Sequence, residues 1–179
     1  MNARHARGFS LIEVLVALVV CSIGLLGLAK MESLAIASTD VAGTRAVAAI
    51  QAASLAAMMH ANRAYWGGGY ALASTTVQVT NGAVVISNSS LNGSRTACTA
   101  TGSSACNYAQ MAAYDLQNWG TTLQGQLPGY LATIACSTTG FPVTCTIQLT
   151  WRENGVAVTP QQTQMANLAL PTYTMYVEP

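Results

Sequence analysis

An α+β fold led by one long amino-terminal helix is what this sequence predicts, and three observations carry it. Residues 9–29 are apolar apart from one carboxylate, and an Ala-rich, proline-free, helix-compatible sequence continues to Gly67. Asn81-Gly82 lies between two β-rich runs, the strongest short hairpin signal in the chain. A second helical pattern ends at Leu127-Pro128-Gly129, and strand-like runs follow at 130–137, 143–152 and 166–177.

The first segment raises a question of charge. Arg4, His5 and Arg7 precede the apolar run, which the positive-inside bias reads as a cytoplasmic amino terminus. Residues 9–29 would span about 31 Å as a helix, matching a hydrocarbon core of about 30 Å. A secretory signal peptide cut near Ala35-Ile36-Ala37 is the plain alternative. Glu13 weighs against it, because an acid inside a membrane helix costs about 2.5–3.5 kcal/mol on the milder scales. Such an acid asks for a partner. Arg7 lies six residues back on another part of the helix surface, so the partner must come from another molecule or from a charge made by processing.

The stretch "RGFSLIEVLVALVV" resembles the class III signal of type IV prepilins: a short basic leader ending in Gly8, then Phe9, then an acid at the fifth position of the processed chain. The resemblance implies cleavage between Gly8 and Phe9 by a prepilin peptidase of the inner membrane, followed by N-methylation of Phe9. It also implies that Glu13 neutralises the terminal amine of an adjacent subunit during assembly. "SIGLLGLA" and the sequence around it resemble the PilV-type minor pilins, the type IV pilus modification proteins. Asp115 and Trp119, the following Leu-Pro-Gly and a strand ending Thr-Trp-Arg-Glu look like the same pattern, more loosely. The implied organisation is a basic leader over 1–8, a transmembrane half-helix over 9–29, and a head over 30–179 that includes the second half of the helix. In that fold the long helix packs on a carboxy-terminal antiparallel β-sheet with a second short helix.

With Val47 as origin, Ile50, Ser54, Ala57 and Met58 fall within an arc of about 100°, with Arg45 and Arg63 opposite. They are expected to face the head, on one helix running from Phe9 to about Arg63. His60 is expected near solvent, and Cys21 as a buried apolar thiol. "YWGGGY" reads as an aromatic loop, since it lacks the lysine and spacing of a phosphate loop. Residues 88–106 are polar and small, an exposed loop in which the glycosylation-like matches at Asn88 and Asn92 reflect composition.

Four of the five cysteines form two close pairs, Cys98 with Cys106 and Cys136 with Cys145. The separations are too wide for a zinc hairpin and no His completes a ligand set. Three pairings are open, and proximity prefers the local ones. Each would stabilise by roughly 2.5 kcal/mol in an oxidising compartment, periplasm or exterior.

Charged residues make up only 7% of the chain and the net charge is +1, with no basic cluster to follow a phosphate backbone. Nucleic acid is not an expected partner. Asp115, Glu153, Glu178 and His60 are scattered, so no catalytic constellation, cofactor or metal site is expected, and an Asp115–Arg152 contact is at most a surface ion pair. The expected role is a minor pilin that primes or joins the type IV pilus, serving twitching, adhesion or DNA uptake. Its expected partners are the prepilin peptidase, other minor pilins, the major pilin and a large tip adhesin. It would sit in the bacterial inner membrane before assembly and at the cell surface after it. A minor pseudopilin of type II secretion and a non-assembling membrane-anchored binding module are the alternatives.

Overall fold

A computed structural model describes residues 9–71, 73–92, 98, 106–127, 129–153 and 170–179. Helix α1 spans Leu11–Ala61 and α2 is the single turn Arg63–Trp66. Strands β1 (Thr75–Thr80) and β2 (Ala83–Ile86) come next, then α3 (Tyr108–Gln126), β3 (Leu131–Cys136), β4 (Cys145–Thr150) and β5 (Thr172–Val177). The chain divides into two units, Met1–Asp40 and Val41–Pro179, so the boundary falls inside α1.

In the first unit α1 is apolar and long enough to cross a membrane, and none of its span is buried within the chain. Several of its hydroxyls are satisfied locally: Ser22 donates to the Leu18 carbonyl at 2.7 Å, and Thr39 to that of Ala35 at 3.0 Å. Back-bonding of this kind satisfies a donor without a partner outside the helix. Cys21, expected to be buried, is exposed here. The described residues of this unit are the helix and the two residues before it, and none of them covers the thiol.

In the second unit the chain from Val41 onward builds one core. Ala48, Ala52, Leu55, Ala56 and Met59 of α1 are buried together with residues of α3 and of all five strands, counting Tyr173 and Met175 half-buried on β5. Of the expected face, Val47 and Met58 pack half-buried against this core, but its buried centre lies on the far side of the helix from Ile50 and Ala57. Ile50 is 66% exposed and Ala57 is exposed, while Arg45 projects on the head side and pairs with Glu153 (Nε to Oε1 2.9 Å, Nη2 to Oε2 3.1 Å). The expectation failed because it took Arg45 as a marker of open solvent. The helix ends at Ala61, where Asn62 leaves helical geometry and its buried amide donates to the Tyr108 carbonyl at 2.7 Å. His60 is exposed, as expected.

The sheet is antiparallel throughout, in the order β2-β1-β3-β4-β5. Asn81 and Gly82 both have positive φ, 52° and 76°, the geometry of a type I′ turn, and Thr80 pairs with Ala83 across it. One face carries Val77, Ile134, Ile147 and Leu149 into the core. The other presents a row across four strands, Thr76–Thr133–Gln148–Thr174, and beside it a second, Gln78–Leu131–Thr150–Thr172. A partial third row is Ala135–Thr146–Tyr176.

Helix α3 starts with a capping box: the Gln110 N–H donates to Asn107 Oδ1 at 2.9 Å, and the Asn107 N–H to Gln110 Oε1 at 3.0 Å. Its Trp119 is fully buried and donates Nε1–H to the Gln51 carbonyl of α1 at 2.9 Å. The next residue must be glycine, since a Cβ there would meet Val84 Cγ1 at 2.7 Å and Val77 Cγ1 at 3.1 Å. Gly120 therefore lets α3 approach the β1–β2 hairpin closely. The structure bonds Cys98 to Cys106 (Cα–Cα 5.5 Å) and Cys136 to Cys145 (Cα–Cα 4.0 Å), the second across a directly paired position of β3 and β4. The start of the loop expected to be exposed is partly packed: Asn88 and Leu91 are buried, and Asn88 Nδ2 donates to the Tyr65 hydroxyl at 3.4 Å.

Tyr130 reports on this core. Its buried hydroxyl donates to the Gly120 carbonyl at 2.8 Å, and burial pushes its pKa up from 10.0 to about 12. Only the neutral phenol can donate. The folded value lies above the unfolded one, so this stabilisation is complete below pH 10 and is lost as pH rises toward about 12. Tyr65 is shifted in the same direction by burial, with Asn88 opposing. Tyr130→Phe is therefore expected to flatten, without abolishing, the alkaline fall in stability over that window. Denaturant midpoints of both proteins at several pH values check this, and parallel pH curves would contradict it.

Candidate assembly interface

The candidate interface begins at Phe9, 82% exposed and two residues before α1. Ser10 starts the helix, its carbonyl accepting the N–H groups of Glu13 at 3.0 Å and Val14 at 3.3 Å. Glu13 thus occupies the first turn, where the helix dipole favours an anion. Spacing by four places Phe9, Glu13, Ala17 and Cys21 on one stripe, with Val14 and Leu18 beside it lining the same shallow groove. The Glu13 carboxylate has no hydrogen bond or ion pair among the described residues; their one ion pair is Arg45–Glu153. Gly8, the other half of the expected cleavage site, lies outside the described residues, as do Arg4, His5 and Arg7.

Further along α1, in the second unit, the face turned away from the core holds Gly43, Ala46, Ile50, Ala53 and Ala57, all exposed and none able to hydrogen-bond through its side chain. A helix serving only its own head would carry polar residues there. This one has two apolar faces, one covered by its own core and one left open. Sequence reasoning assigned Ile50 and Ala57 to the covered face. The signal that could have found the second face is that Gly43, Ala46, Ile50, Ala53 and Ala57 recur at three- and four-residue spacing, while the polar Gln51 and Ser54 fall on another side of the helix.

The remaining polar residues do not converge. Burial raises the pKa of Asp115, which is half-buried on α3, and it forms no ion pair with Arg152, whose side chain lies over Gly129. Among the described residues no group of three or more His, Cys, Asp or Glu side chains is placed to hold a metal ion.

Residues 3–29 match the prokaryotic N-terminal methylation motif, a type IV pilin-like prepilin signal. No curated protein and no solved structure matches the chain. The matched residues include the basic leader, Gly8, Phe9 and Glu13, and they end where the apolar span ends.

Proposed function

We propose that this chain is a type IV pilin-like subunit, a minor pilin of the PilV type that primes or joins a pilus. The observation carrying the proposal is the methylation motif over residues 3–29, set on a helix that has no polar face from Leu11 to Leu28. Prepilin peptidase cuts after Gly8 and the new amine at Phe9 is methylated. Glu13 then gives the amine of an adjacent subunit its counter-ion, and the open face around Ile50 packs against neighbouring helices. The protein waits in the inner membrane with its amino terminus in the cytoplasm and its head in the periplasm, where both disulfides form. Other minor pilins, the major pilin and a tip adhesin are its partners, and its work is structural.

The mature amino terminus tests this reading. Intact mass and terminal sequencing of the protein from envelopes should find a chain starting at N-methylated Phe9. A terminus at Ser38 would mark an ordinary signal peptide and remove the basis of the proposal.

A further inference from the structure

The solvent face of the sheet is assigned no part in assembly, yet it has a defined chemistry. Its central row, Thr76, Thr133, Gln148 and Thr174, is uncharged, and the Thr hydroxyls have no intramolecular partner among the described residues. Such hydroxyls both donate and accept, and β-branching holds each near one rotamer, so little entropy is lost on engaging them. Strand geometry repeats them at about 4.8 Å across the sheet and about 6.8 Å along it. Tyr176 extends the array, 80% exposed, beside an open concavity of ≈ 460 Å³ lined by Thr144, Tyr176, Val177 and Glu178.

Charge decides the occupant. Nucleic acid and anionic lipid need cations, and none stands in these rows. A protein partner of ordinary kind needs an aromatic or aliphatic centre, whereas the central row of this face is Thr and Gln, with Leu131 the one large aliphatic side chain in the row beside it. Neutral polyhydroxylated chains match it: hydroxyls meet hydroxyls and amides, a ring stacks its C–H face on Tyr176, and the Glu178 carboxylate accepts from a sugar hydroxyl. We infer that this face binds a neutral polysaccharide, with Tyr176 as the stacking platform and the Thr76–Thr174 row as the polar track.

The inference does not depend on processing at Phe9 or on assembly, so its failure leaves the pilin reading standing. Full-length protein in detergent would be run by affinity electrophoresis through gels containing dextran, galactomannan or xylan, with heparin as the polyanion. Retardation by at least one neutral polymer and none by heparin is expected. Tyr176→Ala should weaken binding at least about tenfold, and the near-isosteric Thr133→Val several-fold, both with unchanged circular dichroism. No retardation by any of the three neutral polymers overturns the inference, as does binding that both variants leave intact, or equal binding to heparin. Self-association that Tyr176→Ala abolishes, without polysaccharide binding, assigns the face to a second copy and overturns it as well.

Discussion

Glu13→Gln is expected to leave processed protein in the inner membrane at normal levels and to cut its amount in sheared pili by about a hundredfold. Removing one member of a buried ion pair costs about 3–5 kcal/mol, because the other charge stays buried without a partner. Each 1.4 kcal/mol is tenfold, so even the lower figure nearly empties the fibre of the variant. Insertion moves the other way or not at all, since an expensive acid has gone. Glu13→Ala should behave like Glu13→Gln, because charge and not shape is what the amine requires. Quantitative blots of membrane and pilus fractions decide the matter. Wild-type amounts of either variant in pili would refute the role given to Glu13.

Trp119→Ala should be the most damaging single change in the head, with a loss of about 3–5 kcal/mol. The side chain is 1% exposed and lies where α3, α1 and the sheet meet, so its removal leaves a cavity that three elements would have to close. The tether from its indole to the Gln51 carbonyl goes too. Total stabilities of about 5–15 kcal/mol mean that such a loss reaches the margin of folding. Trp119→Phe fills most of the volume and should cost much less. Denaturant midpoints of the full-length protein in detergent measure both, and a loss under about 1 kcal/mol for the alanine variant would show that the site collapses freely.

Local chemistry was legible in the sequence, and pairing over distance was not. The Asn81-Gly82 turn, the long amino-terminal helix and the α3 segment ending before Gly129 each depend on neighbouring residues, and each stands close to where it was read. The order β2-β1-β3-β4-β5 depends on contacts between strands far apart in the chain, which no local pattern encodes. The phase of α1 failed for a more specific reason. Alanine fits a tight core and an open apolar face equally well, so Ala48 and Ala57 look alike in sequence though one is buried and the other exposed. Arg45 and Arg63 were the markers of the solvent side, and the bond from Arg45 to Glu153 made the first of them point the wrong way.

Charge alone allowed at most a surface pair between Asp115 and Arg152; the pair that forms joins Arg45 to Glu153, 108 residues apart. The candidate site was half visible. Glu13 stood out because a lone acid in an apolar run is costly, whereas the open face around Ile50 consists of absences, a stripe with nothing polar in it.

A span that is oily on every side has one more consequence. Lipid tails and a bundle of like helices are comparable solvents for it, so moving from membrane to fibre involves little net change in hydrophobic free energy. On the proposed reading the exchange would be nearly reversible along that coordinate. Direction would have to come from elsewhere, and the pairing of one carboxylate, Glu13, is the term that the span itself supplies.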